Sequence, residues 1–186
     1  MIQKVFSVIV ALIVALSISA AERGKFIHVD NSTNKKVKPQ LAFCQEHKDD
    51  ADITTLLVKT VNTTAYNEFN DASRVLIRFS DGQAFRLNRV AGSSVEKNKN
   101  SEKKGNATIS FYWTTTTYEV SPEVIEALEN GNNIIKVRIV FKENESKDYE
   151  IAEGYQERMS ADLLKSYQEA SLNNKKANAD LSDDDF

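Results

Sequence analysis

Residues 107–141 decide the fold, and they read ATISFYWTTTTYEVSPEVIEALENGNNIIKVRIVF. In the first part, Phe111 and Trp113 alternate with hydroxyl-bearing neighbours, which is the period-two pattern of a strand with one buried face. In the last part, residues 134–141 alternate in the same way and are rich in isoleucine and valine, which fit a pleated sheet. The stretch therefore predicts two strands, with the segment between them as their connection.

The connection between these two strands carries the signals of a short helix. Ser121 can cap the free N–H groups, Pro122 suits the first helical position, and the acidic Glu123 favours the positive end of the helix dipole. Gly131 is placed to end the helix in a left-handed turn. We expect a helix over residues 122–130 whose apolar face consists of Val124, Ile125 and Leu128.

Outside this stretch the chain predicts further strands joined by turns. Between residues 73 and 90, two alternating runs flank an Asp81-Gly82 pair, which predicts a hairpin with a two-residue type I′ turn. A second hairpin is expected around residues 143–146, and a final helix from about Ala161 with Ser160 as its cap. The predicted class is α+β, with mostly antiparallel sheet of about seven or eight strands, a short helix between two late strands and a C-terminal helix.

The two ends of the chain and one internal segment differ from the predicted folded part. Residues 1–21 contain a lysine, an apolar run and small residues before a cleavage point, which is the pattern of a signal peptide. Residues 22–172 form one predicted domain, and residues 92–106 inside it are so polar that we expect a mobile loop. Residues 173–186 lack periodicity and end in DDDF, so we expect a disordered acidic tail.

The predicted signal peptide assigns the protein to a compartment outside the cytoplasm. Its apolar run falls short of the roughly 20 residues that span a bilayer, so we favour cleavage near Glu22 over a membrane anchor. We therefore expect an exported protein, either periplasmic or at the cell surface or secreted, with no integral membrane segment after signal removal. The formal net charge of −3 gives no strong electrostatic attraction to nucleic acid. We therefore do not expect nucleic acid as a partner.

Arginines are spread along the predicted hairpin between residues 73 and 90. We interpret them as a solvated outer face whose arginine stems cover apolar surface, with an anion-binding strip as the alternative. The residues concerned are Arg74, Arg78, Arg86 and Arg89.

Cys44 and His47 have the spacing of half a metal site or of a Cys–His nucleophile pair. A structural zinc site needs four ligands, and the missing ones would have to come from His28 or the acidic residues at 49–52. A nucleophile pair requires the two side chains to meet in space. Because a lone cysteine at the end of a strand is usually a small buried apolar residue, we assign no catalytic, metal or cofactor site. A small hydrolase or thiol enzyme that uses Cys44 and His47 is the alternative.

The better candidate for binding is one face of the strand that begins the decisive stretch. If Phe111 and Trp113 face the core, the opposite face is shared by Tyr112, Thr114, Thr116 and Tyr118. Two tyrosines beside a row of threonines suit a sugar ring or an extended peptide. The alternative is that a helix covers this face and leaves only the tyrosine hydroxyls at its edge.

Three segments of the chain resemble small, β-rich exported proteins of Gram-negative anaerobic bacteria, a group whose function is uncharacterised. The segments are DASRVLIRFSDG at residues 71–82, YEVS at 118–121 and KVRIV at 136–140, within a resemblance over about residues 73–170. The resemblance implies a mixed β fold and a periplasmic or surface location, and it implies no activity and no site residue. The expected function is that of a non-enzymatic envelope protein that binds a protein or a glycan.

Overall fold

The computed structural model describes residues 22–29, 38–48 and 51–183. These residues form ten strands in two antiparallel sheets, together with two helices. The predicted α+β class, the helix between two late strands and the C-terminal helix are confirmed. The predicted signal peptide and the last three residues of the predicted tail, 184–186, lie outside the described residues.

Six strands form the larger sheet: β1 (Glu22–Arg23), β2 (Ile27–His28), β3 (Gln40–Lys48), β4 (Ala51–Asn62), β7 (Glu96–Lys104) and β8 (Ala107–Glu119). Their order is β1-β3-β4-β8-β7, and β2 also pairs with β3. The first strand of the decisive stretch, β8, therefore lies inside this sheet, and β7 forms one of its edges.

Four strands form the smaller sheet: β5 (Arg74–Phe79), β6 (Ala84–Asn88), β9 (Ile134–Lys142) and β10 (Glu145–Glu150). Their order is β10-β9-β5-β6. Helix α1 (Pro122–Glu129) connects β8 to β9, and helix α2 (Glu153–Asp183) follows β10. The decisive stretch thus carries the chain from one sheet to the other.

The short helix is confirmed and ends one residue earlier than predicted, at Glu129, but Ser121 precedes it without making a side-chain capping hydrogen bond. Proline occupies the start of α1, and Gly131 follows its end with a φ of +79°, which glycine adopts at little cost. The expected apolar face is buried, with Ala127 joining Val124, Ile125 and Leu128. The amphipathic pattern of these few residues therefore packs the connection against the core.

The hairpin of β5 and β6 is confirmed, but its turn is not the two-residue type I′ turn. The Gly82 N–H donates to the Phe79 carbonyl at 3.1 Å, and the Phe79 N–H donates to the Gln83 carbonyl at 2.9 Å. Gly82 has a φ of +92°, whereas Asp81 lacks the positive φ that a type I′ turn requires. The Asp81 carboxylate accepts the Gln83 N–H at 2.9 Å, which stabilises this longer loop with a glycine at its left-handed position.

Helix α2 is longer at both ends than the sequence predicts. It begins at Glu153, so Ser160 lies inside it and is not its cap. It also continues to Asp183, although residues from 173 onward were expected to be disordered. Asn174 is only 4% exposed, and its side-chain N–H donates to Asp52 Oδ1 at 2.9 Å, so the helix contacts the sheet beyond its apolar stripe.

The segment predicted to be a mobile loop contains a strand. β7 pairs with β8 from Glu96 opposite Thr115 to Lys104 opposite Ala107, and every residue of β7 is exposed. A strand with no buried face has no apolar signal in its sequence, which is why the pattern suggested a loop. Backbone hydrogen bonds to the neighbouring strand form it instead.

The core lies between the sheets and beneath α2. One buried cluster contains side chains from both sheets and both helices, among them Leu56, Ile77, Leu128 and Leu163. Met159, Leu163 and Ala170 form the fully buried stripe of α2.

Candidate functional site

The faces of β8 are reversed relative to the prediction. Thr114, Thr116 and Tyr118 are 0% exposed, whereas Trp113 is partly exposed on the other side. The three buried residues lie opposite Thr60, Val58 and Leu56 of β4, and directly opposed residues share one face of a sheet. Because that face of β4 points into the core, the predicted exposed face is wrong for these three residues.

The buried face of β8 is polar but does not reach solvent. The side-chain hydroxyls of Thr114, Thr116 and Tyr118 have no hydrogen-bond partner among the described residues. Burial raises the pKa of Tyr118 well above its usual range, and the Arg89 guanidinium opposes this only in part. Tyr118 is therefore a neutral core side chain and not a ligand contact.

Tyr112 is the one member of the predicted site that is partly exposed. Its ring meets the Tyr66 ring edge to face, with centroids 5.1 Å apart and an interplanar angle of 83°. The Lys99 ammonium lies 5.1 Å from the Tyr112 ring centroid. By alternation Tyr112 lies on the same face of β8 as Thr114, and it remains partly exposed beside Lys99 of β7, where this face is not fully covered.

The outer face of the larger sheet carries an open cleft of about 1030 Å³, which we call the trough. Its floor comes from alternate residues of three adjacent strands, Cys44 in β3, Thr55 and Leu57 in β4, and Thr117 in β8. Residues of neither helix line the trough within the described ranges. Its walls are built by β1 at one side and, at the other, by Val90 and Ser93 of the segment before β7 and by Glu96 at the start of β7.

A smaller cavity of about 220 Å³ continues the trough, since both are lined by Arg23 and Glu96. The Lys59 ammonium lies 4.6 Å from the Trp113 ring centroid and 5.5 Å from that of Phe26. The Arg23 guanidinium lies 5.3 Å from the Phe26 centroid. The cavity therefore combines two cations with two aromatic rings. Cation–π contacts of this kind orient side chains at a surface.

The charged groups of the trough stand around a floor of small side chains. Carboxylates line it on both walls, and the basic residues Arg23 and Lys48 lie among them. The carboxylates belong to Glu22, Glu46, Asp52, Glu96 and Glu119. A polar rim around a floor of threonine and leucine is suited to non-covalent recognition of an extended partner.

Sequence reasoning missed the cluster of Phe26, Lys59 and Trp113. A usable signal was present, because Lys59 alternates with the apolar Val58 and Leu56 in β4 and so marks the outward face of that strand. The register of β4 with β8 then places Trp113 beside Lys59, on the same side. Without the pairing of these strands the two signals could not be combined.

Cys44 and His47 do not form a reactive pair. They are three residues apart on β3, so their side chains leave opposite faces of the sheet. Cys44 lines the trough but is only 6% exposed, and burial together with the nearby Glu46 raises its thiol pKa to about 11. A protonated thiol is a poor nucleophile at neutral pH.

His47 has a different partner. Its Nδ1 lies 2.9 Å from Asp52 Oδ1, and this hydrogen bond is the main cause that lowers the pKa of the Asp52 carboxyl. No group of His, Cys, Asp or Glu suited to a metal ion occurs in the described part of the chain. Asp49 and Asp50, two of the acidic residues that could complete a zinc site, lie outside the described residues.

The arginines of the β5–β6 hairpin have mixed environments. Arg78 and Arg86 are exposed, as expected for a solvated face. Arg89 is instead largely buried, and its guanidinium donates to Asp71 Oδ1 at 3.3 Å and to the Ser93 carbonyl at 2.5 Å. Arg89 thus holds the wall of the trough in place.

Comparison with protein-family models, with curated proteins and with solved structures finds no match to this chain. Among the described residues, neither helix is long and apolar enough to cross a membrane. The functional argument therefore rests on the geometry of the trough and its neighbouring surfaces.

Proposed function

We propose that this protein is an exported, non-enzymatic binding protein whose protein or glycan partner docks in the trough. The observation that carries this proposal is the trough itself, an open cleft of about 1030 Å³ across three strands of the larger sheet. Ligand sites in proteins are typically concave surfaces with a few placed polar groups.

The composition of the trough favours binding over catalysis. Thr55 and Thr117 offer hydroxyls on the floor, and carboxylates and an arginine offer charged hydrogen bonds at the rim. The Cys44 thiol beside them has a raised pKa, and His47 lies across the sheet from it. These features support recognition by contact and do not favour covalent chemistry.

Export is supported by the sequence of residues 1–21 and by the resemblance to small exported proteins. N-terminal sequencing of the protein recovered from the cell envelope or medium tests this part of the proposal. We expect a mature chain that begins near Glu22. A protein recovered only from the cytoplasm with residues 1–21 intact would contradict export.

Binding in the trough can be read from Trp113, because it is the single tryptophan of the chain and lies in the adjoining cavity. We expect a saturable change in its fluorescence when the partner is added from a panel of envelope glycans and purified envelope proteins. Thr117→Arg fills the floor of the trough and should abolish the change. Thr63→Arg introduces the same side chain at an exposed position after β4 and should leave binding intact.

The two variants separate the trough from the rest of the surface. If Thr117→Arg is folded and binds as well as the wild type, the partner does not use the trough. Equal loss in Thr117→Arg and Thr63→Arg would attribute the effect to the added charge and not to the site. The absence of any response to every member of the panel would remove the support for these partner classes.

A further inference from the structure

The exposed strand β7 separates its charges between its two sides. Its sequence, EKNKNSEKK, intersperses lysines with glutamates and has only a mild net charge. Because successive side chains of a strand point to opposite faces, Lys97, Lys99 and Lys103 share one side. Glu96, Glu102 and Lys104 share the other side, and Glu96 lines the trough. We call the side with the three lysines the lysine face.

Aromatic rings hold two of these lysines in position. The Lys97 ammonium lies 5.6 Å from the Tyr66 ring centroid, and the Lys99 ammonium lies 5.1 Å from that of Tyr112. The two tyrosine rings pack edge to face. Cation–π contacts of this kind orient an ammonium group without neutralising its charge.

The three lysines of the lysine face form no ion pairs with described residues, although Glu68 lines the same small cavity as Lys97. All three side chains are exposed. The face is thus a local basic strip on a chain whose formal net charge is −3, and a local cluster of like charge attracts ions of the opposite sign.

The dimensions of the strip fit a linear polymer. From Lys97 to Lys103 the strand rises about 20 Å, and neighbouring lysines two residues apart are separated by about 7 Å. Between them, Ser101 and Ser110 place two hydroxyls on the same side, with their Oγ atoms 3.0 Å apart. A row of separated cations with hydroxyls between them matches a chain of sugars that carry repeated acidic groups better than it matches one small anion.

Two other anionic partners fit the face less well. A membrane surface is bound by apolar side chains that enter the lipid boundary beside the basic ones, whereas the large side chains of this face are tyrosines that lie beneath its lysines. Nucleic-acid binding usually depends on a strongly basic domain, and the net charge here is negative.

We propose that the lysine face binds an acidic polysaccharide, through its carboxylate or sulfate groups. This surface is separate from the trough, on the opposite side of β7. Lys97, Lys99 and Lys103 supply the charge, and the rings of Tyr66 and Tyr112 hold two of these ammonium groups in position. Of the residues predicted for binding, this site retains only Tyr112. It adds side chains of a segment that the sequence pattern predicts to be a loop.

The test uses the full mature chain with polygalacturonate, which carries carboxylates, with dextran sulfate, and with unmodified dextran as the neutral probe. Calorimetric titration should detect binding of at least one acidic polymer, weakened by added salt, and no binding of dextran. The variant Lys97→Gln/Lys99→Gln/Lys103→Gln should bind the acidic polymer about tenfold more weakly, as expected for the loss of three exposed charge contacts.

A matched variant, Lys165→Gln/Lys175→Gln/Lys176→Gln, removes the same charge from exposed positions of α2 and should bind like the wild type. Equal weakening in both variants, or no binding of either acidic polymer by the wild type, overturns the proposal. Binding of phosphatidylglycerol vesicles or single-stranded DNA as tightly as the better polymer overturns the assignment to polysaccharide. Because all the substituted lysines are exposed, circular dichroism should show each variant folded.

Discussion

At the residue scale, the burial of Trp113 and Tyr118 is the reverse of what their hydrophobicity suggests. Tyr118 is 0% exposed in the core, whereas Trp113 is partly exposed beside Lys59 on the outer face. Tyr118→Ala should therefore cost about 3–5 kcal/mol, as for other large core side chains. Trp113→Ala should cost clearly less and leave the protein folded. Urea denaturation followed by circular dichroism measures both.

The same pair provides its own control. Tyr118→Phe keeps the ring and removes a buried hydroxyl that lacks a partner among the described residues, so it should be neutral or stabilising. If Trp113→Ala unfolds the protein and Tyr118→Ala does not, the faces of β8 are the reverse of those described.

Cys44 provides a pH-dependent prediction. Burial is the main cause that raises its pKa from 9.0 to about 11, so the unfolded chain releases this proton at a lower pH than the folded one. The folded state then binds more protons in this range, and stability falls as pH rises from about 9 to about 11. Cys44→Ala should lose less stability over that range. Urea denaturation at several pH values provides the comparison.

Alkylation gives an independent check on the same residue. Iodoacetamide should modify native Cys44 slowly at neutral pH and rapidly after unfolding, because the folded thiol is both buried and protonated. Rapid modification of the native protein would contradict this and return the thiol-enzyme alternative to consideration.

At the element scale, helix α2 is attached to both sheets through two serines. Ser160 Oγ accepts the Ile134 N–H of β9 at 2.8 Å, and Ser166 Oγ accepts the Phe43 N–H of β3 at 3.2 Å. Ser160→Ala and Ser166→Ala should each cost about 1–3 kcal/mol, because each leaves a buried strand N–H without its partner. Chemical denaturation measures the change in the free energy of unfolding.

Ser171→Ala is the matched control on the same helix. Ser171 is partly exposed and lies on the helix beyond these contacts, so its change should stay within about 0.5 kcal/mol. A similar cost for all three alanine variants would indicate an effect on the helix alone and not on its attachment to the strands.

Elements differ in how much of their structure was predictable. Helix α1 was predicted closely because local signals, Pro122 at its start and Gly131 after its end, define it without reference to the rest of the chain. Strand β7 was not, since its polar residues have no buried face and only the pairing with β8 forms it. The extension of α2 to Asp183 was missed because no apolar stripe continues there.

At the scale of the whole molecule, the two sheets share one core. The buried cluster includes Leu56 of the larger sheet, Ile77 of the smaller sheet and Leu163 of α2. The sheets should therefore unfold in one cooperative transition. Trp113 fluorescence reports on the larger sheet, and the variant Trp113→Phe/Phe85→Trp moves the single tryptophan to the smaller sheet. In each of the two proteins, the thermal midpoint measured by tryptophan fluorescence should equal the midpoint measured by circular dichroism.

Separate midpoints for the two probes would show that the sheets are independent units. The long sequence separation of the paired strands favours the cooperative outcome, since β4 pairs with β8 and β5 pairs with β9 across intervening parts of the other sheet. Neither sheet is built from one continuous segment of the chain. Unfolding one sheet would therefore release chain segments that connect the paired strands of the other.

The sequence by itself determined the elements whose signals are local. The alternation of β8 and β9, the helix between them and the hairpin around Gly82 all follow from side-chain period and from residues that favour turns. The tertiary structure decided which face of each strand is covered. In β8 aromatic residues occur on both faces, so period alone could not assign Trp113 to the surface and Tyr118 to the core. The register with β4 made that choice. The pairing with β8 separated the charges of β7 into one side with three lysines and one side with two glutamates and one lysine, because alternation separates charges only once a strand has formed.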